Sequence, residues 1–567
     1  MTKKLRPVRM VKNLNKSISR YSSLLRYFFK FNINITVLIF AGLLLFSSCT
    51  KKESNVEIGN KKGILYLGNG QEPQDLDPHT VTGVSEQRII SALMEGLVTE
   101  NPKTLKPEPG VAKSWKVSDN GLVYTFDLRK NAKWSNGDPV TAEDFVFSFK
   151  RILTPALGAQ NAYMLYCMKN AEAFNKGIIK DFSEVGVKAL NKYTLIISLE
   201  KPAPYFLSLL TNMAWFPVNK KVIEKFGKMN QRGSKWTLPA NYIGNGPFKL
   251  KSWEINNVIK VVKNDKYWDA ENVKLNEVDF FPISDNQAEE RSFRGGLLHV
   301  TYTVPTSKIE KYQKNNPDII SVAPYLGTYY YVINVKKKPL NSTKVRRALS
   351  LAINRESLTR YVVKGGKLPA YSFTPPDTAG YTADVTIKEN VEIARKLLSD
   401  AGYQDGKGLP AFKIMYNSSN RNRKIAEAIQ EMWRKNLNVK VELINKDWKV
   451  YLDTFRTKNY TIAGCSWIGD YADPNTFLDI WITDGGNNRA GWSNKQYDKL
   501  MKKASTTVDN KERYELFKEA EDILINQAPI IPLFYYTSLF LKKPEVKGWY
   551  PNILDHHPLK GVSLISE

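Results

Sequence analysis

The sequence predicts an α/β protein of several domains. Three observations carry this. A strand, a helix and a second strand follow each other at 412–416, 423–435 and 439–443, close enough in sequence to make a parallel crossover. Short alternating segments such as 124–128 (YTFDL) read as half-buried strands beside helical patterns. The chain of 567 residues, 42% hydrophobic and 25% charged, exceeds what one core requires, and its balance excludes disorder, collagen and coiled coil as the main architecture.

From the N-terminus, the first 50 residues hold nine basic residues and no acid. An apolar run at 35–46 follows Lys30; as a helix it rises about 18 Å, short of a ~30 Å hydrocarbon core. This reads as a secretory signal. Ser47, Ser48 and Cys49 after it resemble a bacterial lipobox, which implies cleavage before Cys49 and lipid on its thiol; a plain signal peptide or an uncleaved anchor are the alternatives. The polar stretch 50–55 is a tether. A short strand at 64–67 ends at Gly68-Asn69-Gly70. Asn136-Gly137-Asp138-Pro139 is a turn, because Gly permits positive φ and Pro locks its own φ at about −65°. Thr141 with Asp144 forms a helix-capping pair ahead of Phe145, Phe149 and Ile152. After the crossover come a helix at 448–457, a strand at 460–467 and, at its end, Gly469-Asp470-Tyr471-Ala472-Asp473-Pro474, the strand-end location where open α/β sheets place ligands. An apolar, aromatic strand at 530–536 closes the series.

Several function classes are excluded or weakened. The net charge is +27, nine of it from the first 50 residues, but the lysines are scattered among acids and no zinc finger, RNP or helix-turn-helix signal accompanies them. A solvated basic surface without nucleic acid is expected. Three cysteines (Cys49, Cys167, Cys465) make no disulfide framework, and whether Cys167 and Cys465 pair is open. Four histidines leave little for a metal site. HExxH, CxxC, EF-hand, GxSxG and P-loop motifs are all missing. His79, His556 and His557 read as surface or hydrogen-bonding residues, and Glu289-Glu290 as a solvated helix face. No nucleophile, base and orienting group come together, so binding without cofactor or metal is expected rather than catalysis.

One stretch is hard to produce by chance: 111–129 (VAKSWKVSDNGLVYTFDLR), continuing through 133–145 (KWSNGDPVTAEDF). It resembles the signature of the peptide/nickel group of extracellular solute-binding proteins, family 5, which serve ABC importers. The resemblance continues through 74–79 (QDLDPH), 243–250 (IGNGPFKL), 264–268 (NDKYW), 329–331 with 345–355, 371–376 (YSFTPP) and 546–550, covering about 63–565. It implies a periplasmic-binding-protein-like fold (type II, cluster C), a two-lobed clamshell with an additional domain. Carried across, 1–48 is a signal peptide with lipobox and 49–62 the lipidated N-terminus and tether. Domain I comprises 63–94, 219–326 and 538–567, domain II 95–218, and domain III 327–537. Chain crossings near 326 and 537 would act as a hinge.

The resemblance further implies an oligopeptide receptor: an exported, monomeric lipoprotein that captures short peptides and passes them to the permease and ATPase subunits of an importer. A receptor for many sequences must grip what all peptides share, the charged ends and the backbone. The family's ammonium-binding carboxylate is matched by Asp470, which alone could be a helix cap or a lysine partner; Asp473, preceding Pro, is more a turn former. Ser466, Trp467 and Ile468 would pair with the peptide backbone, and Gly83 and Val84 from the other lobe. Trp448, Trp467 and Tyr536 match positions around the peptide, with core packing as their alternative, and Tyr163 falls in a contacting region. An arginine and a histidine that bind the peptide carboxylate in the family are matched by Gly464 and Asn422. Arg421 and Arg423 flank the latter and could supply a guanidinium, although helix-start arginines are commonly solvated. A non-peptide solute (nickel chelate or heme) on the same fold, an exported hydrolase and a surface adhesin are the competing readings.

Overall fold

The computed structural model describes residues 53–385 and 387–565; the side chains of residues 420, 448, 449 and 452 lie outside the description. The signal, the lipobox with Cys49 and the start of the tether also lie outside the described residues. Along the chain, the elements that position the site are strand β1 (Ile64–Gly68), helix α1 (Val84–Leu93), β2 (Ala112–Val117), β3 (Val123–Leu128), α2 (Ala142–Leu153), β4 (Val187–Asn191) and β5 (Thr194–Ser198). Then come β6 (Phe248–Glu254), β7 (Val258–Lys263), β8 (Glu277–Phe281), α3 (Asn286–Arg294), β9 (Ile320–Ile333) and β10 (Leu368–Pro369). The last group is β11 (Phe412–Asn417), α4 (Asn420–Leu437), β12 (Val441–Lys446), β13 (Ile462–Ile468), α5 (Asn510–Gln527) and β14 (Ile530–Leu541).

These strands make three main sheets. The first has the order β1-β8-β7-β6, with β1 parallel to β8 and the other pairs antiparallel. The second is antiparallel, β2-β3-β5-β4. In β3 the alternation is real: Tyr124, Phe126 and Leu128 turn inward and Val123, Thr125 and Asp127 lie nearer solvent. The Asp144 carboxylate accepts bonds from the Thr141 N–H (2.8 Å) and hydroxyl (2.9 Å), starting α2 so that Phe145, Phe149 and Ile152 are buried. A fully buried ion pair ties α2 to the loop after β1: Arg151 donates to both oxygens of Asp77, at 2.9 and 2.6 Å, and to the carbonyl of Met229. His79 sits beside it, fully buried and held neutral; burial, then the Arg151 charge, lowers its pKa to about 3.

The third sheet is six-stranded and mixed, β10-β14-β9-β13-β11-β12. Its parallel β11–β12 pair brackets α4, as the crossover pattern predicts. The second strand starts two residues later than the sequence pattern suggests, because Asn438 caps α4 in the left-handed conformation (φ 55°) and Val439 and Lys440 complete the turn. The centre of this sheet is covered on both faces. Tyr330 and Val332 of β9 join a core with Phe373 and Trp481, while Tyr329, Tyr331 and Ile333 join another with Trp433. Strands β9 and β14 extend beyond it toward the first sheet. Ile320–Pro324 pair with Leu541–Thr537, the ladder breaks, and pairing resumes at Thr328 opposite Tyr535.

One expectation is corrected here. Glu289 and Glu290 are both buried, not on a solvated face of α3. Glu289 accepts bonds from the N–H groups of Tyr302 (2.7 Å) and Thr303 (3.2 Å), and burial lifts its pKa to about 7; Glu290 accepts from the Tyr312 hydroxyl at 2.8 Å. Cys167 and Cys465 are both free thiols.

Candidate functional site

Strand β13 offers an unusual edge. One side pairs with β9 along its whole length, from Ile462 opposite Ile333 to Ile468 opposite Gly327. The other side pairs with β11 only at Ile462 and Ala463. The Gly464 carbonyl is capped by the Tyr451 hydroxyl at 2.5 Å. From Cys465 to Ile468 that edge has no partner strand among the described residues, so alternate backbone N–H and C=O groups are open to pair with an extended chain.

Asp470 lies just beyond this edge. Its Oδ2 accepts a bond from the Tyr163 hydroxyl at 2.9 Å, and its N–H donates to Thr476 Oγ1 at 3.1 Å. It forms no ion pair among the described residues. Burial raises its pKa to about 6, against the lowering effect of the Tyr163 bond. Behind it stand two further acids. Asp473 is spent on Arg513, which donates to both its oxygens at 2.8 and 2.7 Å. Asp479 receives one bond from Asn475 Nδ2 at 3.0 Å; burial, then the Asp470 and Asp473 charges, push its pKa to about 8, so it is protonated at neutral pH. Asp470 is therefore the carboxylate of this cluster that lacks a cation and faces open space.

The opposing lobe reaches this point twice. Tyr163 is one contact. Tyr471 is the other: its ring stacks on Tyr205 at 5.0 Å and is buried in the core of the second sheet. Val84, Ile468 and Asp470 line a single cavity of about 470 Å³, with Glu100 and Tyr325, which the sequence pattern did not single out, and with His556, read from sequence as a surface or hydrogen-bonding residue and here 2.8 Å from Glu100 Oε1. Gly83 precedes α1 in an extended conformation. A Cβ there would lie 1.9 Å from Glu86 Oε2, and the other oxygen of that carboxylate accepts the Gln74 N–H at 2.9 Å; the close approach explains the glycine.

The remaining expected residues divide. Ser466 Oγ and the Tyr536 hydroxyl are hydrogen-bonded at 2.8 Å. Trp467 donates through its indole N–H to the Thr476 carbonyl at 2.6 Å and is partly buried against the core. The Arg421 guanidinium sits 5.8 Å from the centre of the Tyr536 ring. Arg423 is not drawn in; it pairs with Glu427 one turn along α4, at 3.8 Å. The Trp448 side chain lies outside the description. Asn422 is buried and donates to Asn417 Oδ1 at 2.7 Å. Gly464 leaves room for tyrosines: a Cβ there would lie 2.5 Å from the Tyr329 hydroxyl and 3.2 Å from the Tyr331 ring. Even Gly464→Ala should therefore cost about 1–3 kcal/mol by overpacking, measurable by urea denaturation.

An open strand edge ending at a part-buried carboxylate without a cation, facing a second lobe, is an arrangement able to take a ligand by backbone and charge. Comparison with known proteins agrees. Residues 106–489 match the bacterial extracellular solute-binding proteins, family 5 Middle, and the chain belongs to that family. It is a binding protein, not an enzyme, with the family's two-lobed α/β fold. The periplasmic oligopeptide-binding protein OppA of Salmonella typhimurium is 38% identical over 533 residues, covering 91% of this chain and 96% of that protein. The solved structure of the Escherichia coli murein tripeptide-binding protein MppA superimposes with a TM-score of 0.77 at 38% identity, covering 88% of this chain and 98% of that one. The Haemophilus influenzae OppA complex with the peptide RPPGFSPFR gives a TM-score of 0.74 at 34% identity, covering 89% and 99%. Among the described residues, no helix is long and apolar enough to cross a membrane.

Proposed function

We propose that this protein captures short peptides in the interlobe cleft and hands them to the permease of an ABC importer. The observation that carries the reading is Asp470, a part-buried carboxylate without a cation at the end of an unpaired strand edge. A peptide α-ammonium supplies the missing charge, and its backbone completes the β-ladder along Cys465–Ile468 without reading side chains. Gly83 and Val84 close on the peptide from the other lobe. The peptide-binding names of the relatives support the same class of ligand. In this reading the division into domains I, II and III follows the boundaries given above. The ladder break between Pro324 and Thr328 serves as the hinge. Lipid on Cys49 ties the exported monomer to a membrane.

Mass spectrometry of whatever small molecule copurifies with the native full chain tests this. A mixture of short peptides is expected. A metal chelate or heme in the cleft would overturn the reading.

A further inference from the structure

At one end of the third sheet three loops gather cations that no acid neutralises. Strand β9 runs out at Ile333 opposite Ile462, where β13 begins, so the loop after β9 and the loop before β13 lie side by side. Asn334 clamps them. Its Nδ2 donates to the carbonyls of Lys458 (2.9 Å) and Tyr460 (3.3 Å), and its Oδ1 accepts the Lys336 N–H at 3.1 Å. A third loop is tied on by the Val335 N–H, which donates to the Ala490 carbonyl at 3.1 Å, and by the Tyr460 hydroxyl, which donates to the Arg489 carbonyl at 2.7 Å. Segments 334–342, 456–460 and 487–492 together hold six basic residues and no acid. Arg456 is spent on Asp453 at 2.8 Å. Lys336, Lys337, Lys338, Lys458 and Arg489 form no ion pair among the described residues, and the four lysines are exposed. Asp484, shortly before the third segment, pairs with none of them. The fold thus holds five like charges together against their own repulsion. This patch is remote from the cleft: Ile462 and Ile468 are opposite ends of β13, about 20 Å apart.

Resting on the membrane-tethered reading above, we propose that this patch is a docking surface for anionic phospholipid headgroups, by which the exported chain lies against the membrane that holds it. Three features select a lipid surface. The charges stand on separate loops with exposed tips, which suits the many separate phosphates of a bilayer and not one enclosed ion. None of the exposed large apolar side chains belongs to these loops, so the contact is made by charge without an inserted wedge. Such attraction, about fivefold per cation beside an anionic surface and lost beyond a Debye length, is weak for a free protein. It becomes effective for a chain already held within reach by another attachment. The cleft stays open to cargo, because the patch is at the other end of β13 from Asp470.

Hydrogen–deuterium exchange of the full chain reconstituted into vesicles tests this. The vesicles are phosphatidylcholine alone, or an equal mixture of phosphatidylcholine and phosphatidylglycerol. In ~0.1 M salt, exchange of segments 334–342, 456–460 and 487–492 should be at least about threefold slower on the mixed vesicles than on the neutral ones. In ~1 M salt, where the Debye length shrinks to about 3 Å, the difference should vanish. The triple variant Lys336→Gln/Lys337→Gln/Lys338→Gln changes exposed side chains alone; it should lose most of the difference and keep its peptide affinity in calorimetry. Equal exchange on the two kinds of vesicle overturns the proposal, and so does protection that survives high salt. A soluble acidic polymer is the competing occupant: protection by dextran sulfate, with none on mixed vesicles, overturns the lipid assignment. The tether is read separately. A chain that washes off neutral vesicles at high salt has no lipid anchor, whereas protected loops on mixed vesicles at low salt still support the surface.

Discussion

Asp470→Asn should weaken peptide binding at least tenfold and, in the empty protein, raise stability at pH 7. Both effects have one origin. The carboxylate is part-buried with a tyrosine hydroxyl for company and no cation, and desolvation raises its pKa from the ordinary 3.8 to about 6. A shift of roughly two units corresponds to about 3 kcal/mol disfavouring the ionised form. The sign follows from linkage. The folded pKa lies above the unfolded one, so there is no penalty below pH 4; it grows as pH rises through 4–6 and is complete above that. Asparagine keeps the shape and can still accept the Tyr163 bond, but carries no charge. Denaturation of ligand-free protein should show the variant ahead by up to about 3 kcal/mol at pH 7 and level at pH 4. Calorimetry should show affinity lost in the variant, and the same loss for N-acetylated peptide on the wild-type protein. Unchanged affinity in both experiments would remove Asp470 from its role. Peptide affinity of the wild-type protein should itself decline as pH falls through about 6, because the protonated acid no longer attracts an ammonium.

The second large effect concerns Arg513. Its guanidinium is fully buried and holds Asp473 by two bonds, directly behind the site. Removing one partner of such a pair strands the other charge in the interior. Arg513→Met should cost about 3–5 kcal/mol in urea denaturation. Peptide affinity at neutral pH should fall too, because an unneutralised Asp473 raises the pKa of its acidic neighbours. Replacing both members, Arg513→Met with Asp473→Leu, should recover most of the stability. A single variant as stable as the parent would show that Asp473 simply takes up a proton.

Much of the site was legible because it depends on local chain order. A strand ending in Gly469-Asp470 places an acid at a sheet's carboxyl edge, and the family resemblance distinguished it from Asp473, which is next to Pro and buried in an ion pair. What stayed illegible depends on contacts between distant segments. Lys367 is one of many scattered basic residues, and only the pairing of β10 with β14 sets it beside Tyr536. Glu289-Glu290 looks like a wet helix face because adjacent acids seldom share an interior. Here α3 lies over the Tyr302–Thr303 backbone, whose N–H groups need an acceptor. Asp479 has no spacing signal at all; its raised pKa arises from burial first, and then from the Asp470 and Asp473 charges folded beside it.

The seating of Tyr471 in the neighbouring lobe's core has a bearing on how cargo enters. A side chain withdrawn from water on the far side of the cleft acts as a clasp between the two faces at that corner. Parting the lobes at that corner requires Tyr471 to leave this core. The rate of capture, as distinct from its strength, would be governed by how readily one phenol ring leaves its socket.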